Sequence, residues 1–307
     1  MRRQPLRELA DDLAEGVTLA PPRKPTLLSF PSRNRRIEVA NAAGRQLNLS
    51  AAILALSVLA DSGVEHYRGS FRNRTMYAPL GVAALTLGGS LFGVFDRRPE
   101  RHAARDGVYA LAALTGLIGL GFHAYNVSKR PGRLSWHNLF YGAPIGAPFA
   151  LVLSGLLGRG AEKVRDNAAG EAKVLGFPAG RLLAAVSSLG LFGTIGEAGL
   201  LHYRGAFQNP AMLLPVSLPP VAAALVGAQA IKPSSSRFAG AWLTLTAALG
   251  FAGVCFHMLG VHRGNGGWRN WRQNVLNGPP IPAPPSFTGL ALAGLAALSL
   301  MAEEKDD

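Results

Sequence analysis

Apolar stretches about 20 residues long, set between short polar segments, dominate this chain of 307 residues. A helix needs about 20 such residues to cross the hydrocarbon core of a bilayer. Backbone polar groups inside lipid must be satisfied within the segment, so these stretches are expected to be helices. Charged residues make up 16% of the chain, against about 25% in ordinary globular domains. With the charges confined between the apolar runs, a soluble enzyme, a disulfide scaffold and a disordered tail protein are excluded. The one cysteine, Cys255, forms neither an internal disulfide nor a thiolate cluster. The formal net charge of +13 would suggest nucleic acid in a soluble chain. Beside apolar spans it reads instead as basic loops at a membrane, with no nucleic-acid partner.

The pattern predicts an all-α integral membrane protein with eight transmembrane helices, near 47–66, 76–95, 107–127, 143–158, 183–202, 211–231, 239–261 and 286–302. The fourth and eighth are short and entered through prolines (Pro144, Pro148; Pro279, Pro280, Pro282, Pro284, Pro285), which a first helical turn tolerates. Residues 1–46 form a basic N-terminal segment with nine Lys/Arg. Within it Leu6, Leu9, Leu13 and Val17 recur at helical spacing, so Pro5–Val17 is expected to be a short amphipathic surface helix. No apolar core follows Arg2 and Arg3 closely, so no cleaved signal peptide is expected. With the N-terminus inside, the inner segments hold 21 Lys/Arg and the outer loops 10. The positive-inside rule then places both termini in the cytoplasm, in a bacterial inner membrane.

The chain also repeats itself. Residues 60–80 and 196–216 agree at nine of 21 positions at an offset of 136. The shared residues are Gly63/Gly199, His66/His202, Tyr67/Tyr203, Arg68/Arg204, Gly69/Gly205, Phe71/Phe207, Asn73/Asn209, Met76/Met212 and Pro79/Pro215. Further on, Phe122-His123 matches Phe256-His257. Asn138, Gly142, Pro144, Ile145, Ala147 and Pro148 match Asn274, Gly278, Pro280, Ile281, Ala283 and Pro284. The expected organisation is therefore two four-helix membrane repeats, 47–158 and 183–302, joined by a cytoplasmic linker, 159–182. Each has an even number of spans, so the two repeats run parallel, related by an axis along the membrane normal.

What both repeats keep is mostly outer-face chemistry. His66 ends the first helix and His123 lies near the end of the third; His202 and His257 repeat the arrangement. Ionisable residues at membrane depth are costly and mark function by default. Two neutral imidazoles from facing helices of a bundle suit the axial positions of a b-type haem, with the histidines as iron ligands. Arg68 and Arg204 lie two residues on, where a guanidinium pairs with a haem propionate or another anion. Gly69, Gly121, Gly205 and Gly253 would let a flat macrocycle approach the backbone. The competing reading is a histidine that only bonds a loop carbonyl at the headgroups. No CxxCH occurs, so covalent c-type haem is excluded. Asp61 and Glu197 each precede the histidine by five residues, which turns a helix about 140° away, so a single-helix chelate is disfavoured. They read either as a proton relay deeper in the membrane or as acids paired with a neighbouring helix. His102, His137 and His262 are expected to be solvated.

The outer loops 128–141 and 262–284 hold Trp136, Trp268 and Trp271 among Arg130, Arg133, Arg263, Arg269 and Arg272. Trp and Arg favour partner interfaces and lipid headgroups alike, so membrane lipid and an acidic periplasmic protein partner are both expected there. The shared G-x-P-I-x-A-P segment is expected to be a rigid, extended stretch re-entering the next helix.

The phrases FHAYNVSKRPG…SWHNLFYGAPIGAP and HYRGSF resemble those of uncharacterised multi-spanning bacterial inner-membrane proteins, across both four-helix halves. In plan, paired histidines in a helical bundle are similar to b-type cytochrome membrane subunits. All four histidines fall toward one side, which suits exchange between a periplasmic redox partner and quinone. The expected function is therefore a membrane anchor and electron-transfer subunit of an oxidoreductase, with catalysis on a separate subunit. Two alternatives remain: a proton-coupled secondary transporter using Asp61 and Glu197, and a structural module recruiting a periplasmic partner. No catalytic triad, phosphate loop, HExxH or dinucleotide fingerprint occurs at a credible position.

Overall fold

The computed structural model describes residues 32–135, 138, 144–165, 167–233 and 236–304. The expected Pro5–Val17 helix, Trp136 and His137 lie outside the described residues.

Ser32 caps the first helix, α1 (Arg33–Arg68), its hydroxyl accepting from the Arg35 amide. The helix starts well before residue 47, inside the expected N-terminal segment. Its first turns hold Ala40, Ala43 and Gly44 in the core, with Gly44 close under the Ala161 carbonyl. Arg35 and Arg36, on the outer side, face Glu303 and Glu171 at 3.9 and 3.8 Å. Helical packing thus continues past the apolar run that marks the span.

A 3-10 turn (Arg74–Tyr77) leads into α2 (Ala78–Phe95), followed by α3 (Ala103–Ser128) and α4 (Gly146–Val164). The expected linker holds an antiparallel hairpin, β1 (Lys173–Val174) and β2 (Phe177–Pro178). Leu175 and Gly176 turn it with φ of 52° and 83°, the left-handed pair that a tight hairpin requires. Then come α5 (Ala179–Arg204), a 3-10 turn (Pro210–Leu213), α6 (Leu214–Ser217), α7 (Pro219–Ile231) and α8 (Arg237–His262). The span expected at 211–231 is interrupted at Pro219, which has no N–H to continue the ladder. A further 3-10 turn (Gly267–Asn270), α9 (Trp271–Asn277) and α10 (Pro285–Glu304) close the order.

Seven of these helical segments are long and apolar enough to cross a membrane. The chain is a multi-pass all-α membrane protein. The expected fourth span, α4, has 19 residues but carries Arg159, Glu162 and Lys163 near its end. It is packed by protein, with Leu151, Leu157, Ala161 and Val164 buried.

Helices α1, α4, α5 and α10 form the centre: α1 packs on α4 and α10, and α5 on α10 and α4. Around them, α2 lies on α1, α3 on α4, α7 on α5 and α8 on α10. The core is mostly leucine and alanine. Glycine permits the closest approach, since a Cβ at Gly155 would stand 2.6 Å from the Ala113 amide nitrogen.

At the end away from the histidine turns, α2, α3 and α4 are joined by buried charge. Arg105 donates to Asp96 and Glu162, both at 2.8 Å. Asp106 accepts from Arg159 at 3.0 Å and from Arg101, and the Tyr109 hydroxyl donates to Asn48. Burial alone pushes the Asp96 carboxyl up, but hydrogen bonds from Arg105 and Arg98 outweigh it and hold it well below the usual carboxylate range. His102, expected to be solvated, instead gives its amide to Glu162 at 2.8 Å and turns a buried Nδ1 inward. The repeat aligns Asn48, Arg105, Tyr109, Glu162 and Arg165 with Ala184, Ala239, Leu243, Leu298 and Met301, all buried and apolar. The two stretches share their outer turns but not this end.

Candidate functional site

His66 and Arg68 end α1, and Gly69 caps it. Ser70 and Phe71 then adopt left-handed φ of 58° and 44°, and the Phe71 amide returns to the His66 carbonyl at 3.0 Å. Asn73 starts the 3-10 turn by accepting from the Thr75 amide. This turn presents the Met76 carbonyl to His66 Nδ1 at 2.7 Å. The second copy has the same design. Ala206 and Phe207 have φ of 55° and 45°, Asn209 accepts from the Ala211 amide, and His202 Nδ1 meets the Met212 carbonyl at 2.8 Å. Phe71 and Phe207 stand edge-on to their histidines at 6.2 and 6.3 Å.

The other two histidines are anchored likewise. His123 Nδ1 lies 2.5 Å from the Pro144 carbonyl, and His257 Nδ1 2.6 Å from that of Pro280. A carbonyl oxygen only accepts, so each of the four rings carries its proton on Nδ1. In the neutral ring the lone pair is then on Nε2. The structure sets the rings of the second expected couple side by side. The rings of His202 and His257 have centroids 6.4 Å apart with planes at 63°, and His66 and His123 stand within electrostatic reach of each other.

The expected accessory groups fit unevenly. Gly121 opens onto free space. Gly69 and Gly205 face the Met76 and Met212 methyls, and Gly253 faces the Pro284 ring. These three glycines serve close packing of the protein, not a macrocycle. Arg68 is bonded to Glu65 at 2.6 Å, and Arg204 lies on the exposed surface.

Asp61 and Glu197 are read separately in each repeat. Asp61 on α1 and Glu197 on α5 lie within electrostatic reach of each other. The Glu197 carboxyl lies over Gly146, the first residue of α4, where a Cβ would overlap it. Glu65 and Arg68 of α1 also act on Asp61. The sequence shows the matching positions of the two acids but neither their electrostatic coupling nor the place of Gly146 beneath Glu197.

The outer loops share a backbone design. Gly132 and Arg133 have φ of 80° and 45°, and Gly266 and Gly267 have 78° and 56°. The amide of Asn138 bonds the Pro131 carbonyl at 3.0 Å, and that of Asn274 the Gly267 carbonyl at 2.8 Å. Trp268 and Trp271 are exposed, and Arg272 lies over the Tyr67 ring at 5.6 Å. The stretch expected to be extended is instead a turn at Pro280–Ala283, closed by a 3.2 Å hydrogen bond, after the short helix α9.

Among the described residues no three or more His, Cys, Asp or Glu side chains gather to hold a metal ion. A metal held by one couple must take its remaining ligands from elsewhere, as the ring nitrogens of a porphyrin provide. In comparisons with protein families, curated proteins and solved structures, the chain matches none. The fold itself defines the class: a multi-pass all-α membrane protein with imidazole couples beside the ends of its helices.

Proposed function

We propose that the chain spans a bacterial inner membrane eight times as two parallel four-helix repeats with both termini cytoplasmic. In this reading each repeat holds one b-type haem near the periplasmic face, between His66 and His123 and between His202 and His257. The protein is then an electron-transfer subunit between a periplasmic redox partner and quinone. The observation that carries the reading is the His202–His257 couple at 6.4 Å, each ring fixed through Nδ1 by a carbonyl. Metal-bound histidines characteristically donate the other ring N–H in this way. Two imidazoles each about 2 Å from a shared metal leave ring centres roughly 6 Å apart. When bound, the haem supplies one-electron chemistry. The chain's own groups fix each imidazole's tautomer and direction, and Gly121 leaves room on one face. The exposed cations of loops 128–141 and 262–284 attract an acidic periplasmic protein and the phosphates of membrane lipid.

The test is an absorption spectrum with iron analysis on the purified protein. A Soret band with two irons per chain is expected, falling to one in His202→Ala and in His66→Ala. Protein with neither band nor iron overturns the haem reading.

A second reading, proton-coupled transport, draws support from Asp61 and Glu197 lying within electrostatic reach of each other. It expects proton-driven uptake into liposomes that Asp61→Asn abolishes; uptake unchanged in that variant removes it.

A further inference from the structure

The turns that follow α1 and α5 both carry backbone strain. Ser70 and Phe71 have φ of 58° and 44°, and Ala206 and Phe207 have 55° and 45°. The left-handed region is costly for a residue with a Cβ and open to glycine without that cost. A turn that only had to reverse the chain would take glycine here. The first strained position differs between the copies, Ser70 against Ala206, but the second is phenylalanine in both. Strain held at one particular side chain points to a task for that side chain.

The surroundings of the two rings narrow the task. Phe71 stacks on Tyr77 at 4.4 Å, yet the residue aligned with Tyr77 is Leu213, so stacking is not what the copies share. The shared contact is with histidine. Phe71 stands edge-on to His66 with planes at 77°, and Phe207 edge-on to His202 with planes at 83°. The amides of Phe71 and Phe207 return to the carbonyls of the same two histidines at 3.0 and 3.1 Å. The strained turn therefore folds each phenylalanine back onto its own histidine. Each imidazole is also held through Nδ1, by the Met76 or the Met212 carbonyl. The last torsion of a histidine is broad and soft; an aromatic edge packed on the ring narrows it. Both histidines and both phenylalanines are half-buried, so water reaches this end of the helices and competes for the Nδ1 proton.

We propose that Phe71 and Phe207 are positioning residues of the imidazole couples, each fixing the direction of its histidine ring and shielding the Nδ1 bond from water. The left-handed backbone is what placing an aromatic ring there requires. This deepens the haem reading and rests on it for the electrochemical readout; the histidine resonance measured beside it needs no haem.

The full chain is purified in detergent with nitrogen-labelled histidine and reduced, so that any low-spin haem is diamagnetic. Exchange of the His202 Nδ1 proton with water is followed by magnetic resonance, the signal being identified by its loss in His202→Ala. In Phe207→Gly the thermal midpoint is expected at or above that of wild type, because the strain is gone, while the proton exchanges at least tenfold faster. Phe207→Tyr, which keeps an aromatic edge, exchanges at the wild-type rate. In a redox titration, Phe207→Gly shifts one of two midpoint potentials downward and leaves the other in place, since water at the site favours the more highly charged ferric state. Equal exchange in wild type and Phe207→Gly overturns the positioning role, whatever the iron content. Protein without haem but with the faster exchange removes the haem reading and retains the role. Should Phe207→Gly fail to fold, Phe207→Leu takes its place, and exchange at the wild-type rate in that variant overturns the proposal.

Discussion

At the residue scale, most positions shared by the two repeats have a local task. Gly69 and Gly205 admit a methionine methyl, and Asn73 and Asn209 start a turn. Replacing an Asn cap by Ala costs about 1 kcal/mol. Asn209→Ala is therefore expected to lower the thermal midpoint by a few degrees; under the haem reading it also loosens the Met212 carbonyl and lowers iron content in the second couple only. Gly146→Ala is expected to cost little, since its Cβ meets only the carboxyl end of the flexible Glu197 side chain, which can turn aside. A thermal melt of the single variant, expected near the wild-type midpoint, checks this. The imidazole couples were legible because duplication repeated them at a fixed offset. The electrostatic coupling of Asp61 to Glu197 was not, because spacing along one chain does not record which residues of distant segments come near each other.

At the element scale, the apolar runs marked where the long helices lie, eight being expected where seven segments are long and apolar enough, while tertiary packing set their ends. The start of α1 at Arg33 and the charged end of α4 depend on ion pairs that join segments distant in sequence. Hydropathy reads those residues as solvated. The pH response follows from this cluster. Asp96 is held below its ordinary value of 3.8, so its pairs add full stability above that pH and lose it as pH falls further. A melt series should show this acid loss in wild type and its reduction in Asp96→Asn. Glu162→Leu alone leaves Arg105 poorly paired in the core, a change that costs about 3–5 kcal/mol. Exchanging the whole set for the residues of the second repeat is expected to recover most of the midpoint, because a well-packed apolar replacement for buried ions is often neutral. That exchange is Asn48→Ala, Arg105→Ala, Tyr109→Leu, Glu162→Leu and Arg165→Met, with Asp96→Asn so that no carboxylate is left buried without Arg105.

At the scale of the whole molecule, multi-pass character was plain from composition, but the arrangement of helices was not. Leu85, Phe92 and Leu114 remain exposed while Leu54 and Leu191 are buried. All are the same kind of side chain, since lipid and protein interior make similar demands. The structure places the last long helix against the first: Ser57 donates to the Pro282 carbonyl, and its Oγ lies 3.5 Å from that of Ser286. With Cys255 replaced by serine, the pair Ser57→Cys and Ser286→Cys should cross-link readily under mild oxidation. Failure to form that bond would contradict the packing of α1 on α10.

The Nδ1 bonds of His123 and His257 have one more consequence. Each ring is leashed to a proline carbonyl in or just after an outer loop. A protein that docks on that loop and shifts its backbone by a fraction of an ångström must also change the basicity of the distant Nε2. By thermodynamic reciprocity, whatever grips Nε2 stiffens the loop and alters how firmly the visitor is held.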